Sequence, residues 1–146
     1  MTDIEIRPAR DEDCDTISEL LGELGYPTSP EDAARRLSKL RSSDYVVFVG
    51  VRDGQVVGLM SLHAVNGLHS SSPACYLMGL VTRATLHGQG IGKALLGEAE
   101  RWAREHGCDR VTLTSATHRT AAHAFYERQG FPETGRRFAK QLDVKA

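Results

Sequence analysis

Glycine stands at every second position through Gly88-Gln89-Gly90-Ile91-Gly92, between a β-branched run ending near Thr82 and a helical pattern opening at Ile91. Where a strand gives way to a helix, the first backbone N–H groups have no intrahelical partner and the helix dipole adds partial positive charge. Such a junction, bare of side chains, is open to an anion, best a phosphate or pyrophosphate. Glycine is equally at home in a turn that only packs two elements closely. Two familiar phosphate loops fail by count. A dinucleotide fingerprint G-x-G-x-x-G read from Gly88 meets Lys93 at its third glycine, and from Gly90 it meets Leu95. A P-loop needs Ser or Thr after Gly-Lys, but Ala94 follows Gly92-Lys93, and His87 holds the place of its first glycine.

Other side chains with chemical reach are scattered. In "AAHAFYERQGF" (121–131), Phe125 shares a helical stripe with Ala121 and Ala122, and Tyr126 lies about 100° further round, free to face another surface. "SLHAVNGLHSS" carries His63 and His69, which titrate near neutral pH when unperturbed. Cys14, Cys75 and Cys108 are odd in number and lack CxxC spacing, so neither a metal site nor a disulfide framework is expected. None of them sits in a recognisable nucleophile motif.

The elements that position these residues follow from periodicity. "IEIRPA" (4–9) alternates like a strand. Ile17, Leu20, Leu21 and Leu24 mark an amphipathic helix that Gly25 and Pro27 stop. Ser29 and Pro30 open a second helix. "DYVVFVGVRDGQVVGLMSLHAV" reads as a hairpin turning at Asp53-Gly54, and "ACYLMGLVT" (74–82) as a central strand with a bulge or close approach at Gly79. Ile91, Leu95, Ala99, Trp102 and Ala103 stripe a third helix that ends at Gly107. "DRVTLTS" predicts a strand, "HRTAAHAFYERQG" a helix and "FAKQLD" a last strand. The sum is an α+β domain around a mixed sheet, spanning 1–146 without a linker or repeat.

Composition narrows the function. In 146 residues, 18 Lys and Arg face 19 acids, so no overall field draws a nucleic acid or an anionic membrane. No apolar run approaches the ~20 residues of a membrane span, and the charged N-terminus is unlike a signal peptide. A cytoplasmic protein with reduced thiols is expected.

The run His87-Gly88-Gln89-Gly90-Ile91-Gly92-Lys93-Ala94-Leu95-Leu96 resembles the coenzyme A loop of the Gcn5-related N-acetyltransferase (GNAT) superfamily, with His87 where Arg or Gln is usual. "AAHAFYERQGF" is similar to that superfamily's A-x-x-F-Y-E-x-x-G-F signature. The resemblance covers nearly the whole chain. It implies a mixed sheet of six to seven strands flanked by four helices, and acetyl-CoA as co-substrate. It implies that His87, Gly88, Gln89, Gly90, Ile91, Gly92, Lys93 and Ala94 bind the pyrophosphate. The main chain of Leu80, Val81 and Thr82 would pair with the pantetheine arm, with one peptide N–H available to a developing oxyanion. Arg119 would help hold the cofactor, and Tyr126 resembles the general acid for the thiolate.

The resemblance implies an amine that attacks the thioester directly. Many relatives carry a Glu on the strand before the glycine loop, but 74–82 holds no carboxylate, leaving His63, His69 or a water route as base. The acceptor pocket implied by the family makes Tyr26 a candidate wall residue. The paired Leu-His stretches and "RRFAKQLD" are similar to the aminoalkylphosphonate N-acetyltransferase subgroup, implying a small primary amine as partner. A protein or peptide N-terminal acetyltransferase, and a non-catalytic CoA-binding module, are the competing readings. A homodimer is the expected assembly.

Overall fold

The β-branched runs around Asp53-Gly54 form β2 (Tyr45–Arg52) and β3 (Gln55–Val65) in the computed structural model, which describes residues 3–144. Asp53 and Gly54 turn the chain with φ of 52° and 76°, the paired positive values that suit hairpin twist. β1 (Glu5–Pro8) pairs antiparallel with β2, and β4 (Ala74–Thr82) pairs antiparallel with β3. β5 (Val111–Leu113) runs parallel to β4, so the sheet is mixed, in the order β1-β2-β3-β4-β5.

Two helices cover one face of this sheet. α1 (Cys14–Leu24) ends at Gly25, and α2 (Pro30–Lys39) opens on Ser29, whose Oγ accepts from the Asp32 N–H at 3.1 Å. Ile17, Leu20, Ala33 and Leu37 pack there with Val49 and Leu59. α3 (Ile91–Glu105) lies on the opposite face, with the stripe Ile91, Leu95, Ala99, Trp102 and Ala103 wholly buried. Side chains such as Leu20 and Leu95 each contribute roughly 1.5–3 kcal/mol by leaving water.

One buried charge fixes where α1 begins. Arg7 of β1 donates Nη1 to Asp13 Oδ2 at 2.8 Å and Nη2 to Oδ1 at 3.0 Å. The Arg10 N–H adds a bond of 2.7 Å to Asp13 Oδ2. The hydrogen-bonded Arg7 guanidinium holds the Asp13 carboxyl below the usual carboxylate range.

The chain divides into two compact units, Met1–Leu113 and Thr114–Ala146. The sheet and the first three helices belong to the first, and α4 (Thr120–Arg128) to the second. The strand expected from "DRVTLTS" narrows to Val111–Leu113. The strand expected at "FAKQLD" does not form: among the described residues, 138–143 joins no ladder, and the sheet has five strands, not six to seven. A strand exists only through its neighbours. Here alternation without a partner leaves Phe138 and Leu142 exposed.

Candidate active site

β4 opens the site by losing a neighbour. Its register against β3 runs Leu80↔Met60, Gly79↔Ser61 and then Leu77↔Leu62, so Met78 is an extra residue in the ladder, beside the Gly79 that suggested a bulge. On its other side β4 pairs with β5 only at Cys75, Tyr76 and Leu77. A bulge bends its strand and ends local pairing. From Met78 to Thr82 that edge has no ladder partner among the described residues, and its main-chain groups are open to another extended chain. Leu80, Val81 and Thr82 lie on this free stretch, each half-buried.

The chain beyond β4 is held from two sides. Arg83 bonds Glu19 Oε2 at 2.6 Å and Glu23 Oε2 at 3.0 Å, tying the strand's end to α1. His87 Nε2 donates to the Thr82 carbonyl at 3.3 Å. Gly88 and Gly90 both take φ of 85°, a left-handed conformation that favours glycine, and a Cβ at either would meet nothing within 4 Å. Gly90 caps α3 without a side-chain hydrogen bond, and no acid occupies the first turn. The helix ladder starts with the Ala94 N–H donating to Gly90 O at 3.0 Å. The amides of Ile91, Gly92 and Lys93 precede the first such bond, and Lys93 is exposed beside them.

A second cation reaches this loop, unforeseen from sequence. Arg52, at the end of β2, donates Nη1 to Gln89 Oε1 at 2.5 Å and Nη2 to Gln89 O at 3.4 Å. Its Nε is buried with no hydrogen-bond partner. The two residues are 37 positions apart, and no local pattern links them. Bare amides, a helix start and a neighbouring guanidinium together fit a pyrophosphate.

A cavity of about 340 Å³ lies between the first two helices and the sheet. Ile17, Leu21 and Leu24 of α1 and Leu59 of β3 form apolar walls, and Met78, Gly79 and Val81 bring the bulged part of β4 into its lining. Its polar groups come from Arg36, Ser61 and Tyr26. Tyr26 thus stands on a wall, 63% exposed. Neither histidine lines the cavity. His63 is stacked on Tyr45, its cross-strand neighbour, with ring centroids 3.7 Å apart, and His69 lies exposed in the loop after β3.

Tyr126 and Arg119 belong to the second unit. The half-buried Tyr126 ring lies 5.4 Å from Phe125 and 6.2 Å from Phe131, centroid to centroid. Burial pushes its phenol above the ordinary value, against the opposing charge of Arg119. Arg119 stands immediately before α4.

The thiols are unsuited to covalent catalysis. Burial pushes Cys75 up to about 12 and also raises Cys14 and Cys108, so all three stay protonated at neutral pH. Among the described residues, no cluster of three or more His, Cys, Asp or Glu could hold a metal, and no helix is long and apolar enough to cross a membrane.

Comparison with known proteins meets this geometry. Residues 12–131 match the family described as "Acetyltransferase (GNAT) family". The chain is 33% identical over 143 residues to an aminoalkylphosphonate N-acetyltransferase of Salmonella typhimurium, covering 94% of this chain and 91% of that protein. It is 32% identical over 119 residues to an aminoglycoside N(6')-acetyltransferase type 1 of Stenotrophomonas maltophilia, covering 77% of each. An aminoglycoside N-acetyltransferase solved in complex with CoA superposes with a TM-score of 0.85 at 19% identity, covering 99% of this chain and 97% of that one, a likeness of fold. The chain belongs to the GNAT family of acetyltransferases, an acyltransferase whose co-substrate is acetyl-CoA.

Proposed function

We propose that the chain transfers the acetyl group of acetyl-CoA to the primary amine of a small molecule, by direct attack of the amine on the thioester. The observation that carries this reading is the edge of β4 freed from Met78 to Thr82, which borders the 340 Å³ cavity. An extended pantetheine arm suits that edge as an added strand. The amides at the start of α3, with Arg52 bonded to Gln89 and Lys93 exposed beside them, suit the pyrophosphate, and Arg52 adds a cation to a loop in which His87 replaces the family's Arg or Gln. Acetyl-CoA contributes the activated acyl group.

In the transfer the amine nitrogen bonds the carbonyl carbon, the carbon–sulfur bond breaks, and the sulfur leaves as a thiolate. The amine's proton passes to water. Tyr126, by its place in the family signature, offers its phenolic hydrogen to the thiolate, and its raised pKa keeps that hydrogen in place at neutral pH. The high thiol pKa values support direct attack over an acyl-cysteine. A cavity this small favours a free amine over a polypeptide terminus. The three free thiols support a cytoplasmic setting.

The test is acetyl-CoA-dependent thiol release across simple amines, aminoalkylphosphonates and peptides. A small amine is expected to give turnover. Turnover confined to peptides would overturn the small-molecule reading, and none with any amine would overturn the transfer.

A further inference from the structure

The β2–β3 hairpin takes hold of the glycine loop on both sides of Gly90. Gly50 and Gly58 face each other across the hairpin's ladder and leave a notch in the sheet. A Cβ at Gly58 would come within 3.0 Å of both Ile91 Cγ2 and Leu95 Cδ1, closer than packed carbons tolerate. Bare backbone there lets the first turn of α3 lie low on the strands, and Ile91 is buried. On the other side of Gly90, Arg52 bonds Gln89 through its side-chain Oε1 and its main-chain carbonyl. Gly90, with φ of 85°, stands between two anchored neighbours.

The bonds from Arg52 orient more than a side chain. In a trans peptide the C=O and the N–H point in opposite directions. A Gln89 carbonyl drawn toward Arg52 therefore turns the Gly90 N–H away from the hairpin. The unbonded amides of Ile91, Gly92 and Lys93 follow directly in the chain. Arg52 itself is already committed. Both terminal nitrogens bond Gln89, and the Nε is buried without a partner, a cost of holding both on one residue. Without such a hold the loop would be slack, since glycine loses more conformational freedom on ordering than any other residue. A ligand that must order its own cradle binds more weakly for it, and a cradle held beforehand spares that loss.

We propose that the β2–β3 hairpin holds the glycine loop ready for the pyrophosphate before the cofactor arrives, with Arg52 as a positioning residue acting through Gln89. The proposal goes beyond the transfer reaction and rests only on the placing of the pyrophosphate at the start of α3.

The test needs no acceptor amine. Calorimetry gives the CoA Kd, and backbone amide NMR relaxation on the ligand-free protein gives the order of the loop. Arg52→Ala should raise the CoA Kd about tenfold, the value of a charge-assisted hydrogen bond. In that variant the Gly90 amide order parameter should fall below about 0.6, while the middle of α3 stays near about 0.85. Gln89→Ala trims an exposed side chain, which leaves the fold intact, and should raise the Kd about fivefold with the same loosening. The double variant should bind no more weakly than Arg52→Ala, because the two changes remove one contact. A Kd within about twofold of wild type in either single variant overturns the proposal. A weaker Kd with Gly90 still rigid, or losses that multiply in the double variant, would make Arg52 a direct ligand of the anion and overturn it too. A wild type that binds no CoA removes the cradle itself, whereas failure to acetylate any amine removes the transfer reading and leaves this one standing.

Discussion

Tyr126 is asked to give a hydrogen that its surroundings help it keep. Burial pushes the phenol further above its ordinary value, which already lies above that of a thiol, so complete transfer to the leaving thiolate is uphill. The phenol therefore serves first as a hydrogen-bond donor to sulfur as charge gathers there. Tyr126→Phe keeps the ring against Phe125 and Phe131 and should lower kcat by roughly 10²-fold, about 2.7 kcal/mol, with the acetyl-CoA Kd unchanged. A variant within twofold of wild-type kcat would leave Tyr126 with a packing role alone. The histidines carry the opposite expectation. His63 is stacked on Tyr45 and His69 lies outside the cavity lining, so His63→Ala and His69→Ala should both retain the acid limb of kcat/KM. That limb should move with the pKa of the acceptor amine when a less basic amine is used. Loss of the limb in either variant would restore that histidine as base.

At the scale of elements, the start of α3 and the start of α1 make separate predictions. Acetyl-CoA at a hundredfold excess over Kd should stabilise the wild type by about 2.7 kcal/mol. Gly90→Val forces a β-branched residue to φ of 85°, costs roughly 1–2 kcal/mol, and should abolish most of that shift in thermal melts with and without ligand. Equal stabilisation of both proteins would remove the anion cradle. At α1, the Asp13 pKa is lowered in the fold, so its contribution is complete above the unfolded value near 3.8 and is lost as pH falls through the folded value. Asp13→Asn should cost about 3 kcal/mol at neutral pH and flatten the acid limb of stability, read from urea midpoints. The start of α3 was legible because glycines and periodicity are local signals, whereas that of α1 rests on the Arg7–Asp13 pair, which no local pattern marks. Ser29 and Gly25 bound helices where the sequence puts them. The split of β4 from β5 was only hinted at by Gly79, since it depends on registers with two other strands. Arg52 and Arg36 carry no local signal in the sequence, because what distinguishes them is a distant loop and a cavity. "FAKQLD" has a strand's alternation, but alternation cannot supply the neighbour that a ladder requires.

For the whole molecule, that unpaired alternation bears on assembly. Phe138, Leu142 and Val144 share parity along an extended chain, and they are 90%, 75% and 91% exposed. With near-neutral net charge, the chain has little self-repulsion to oppose association. Apolar side chains concentrated on one short segment are more informative than the same residues scattered singly, and a second copy of the chain would remove them from water. The expected homodimer should therefore depend on this segment. Light scattering on the intact protein should give twice the 16.0 kDa chain mass. Phe138→Asp with Leu142→Asp should raise the dimer dissociation constant at least about tenfold, since central apolar anchors commonly contribute more than 1 kcal/mol each. The thermal shift from acetyl-CoA measured on the same variant shows whether the cofactor site stays folded as the subunits part. A wild-type monomer at micromolar concentration, or a double variant as tightly dimeric as the parent, would rule out this segment as the subunit contact.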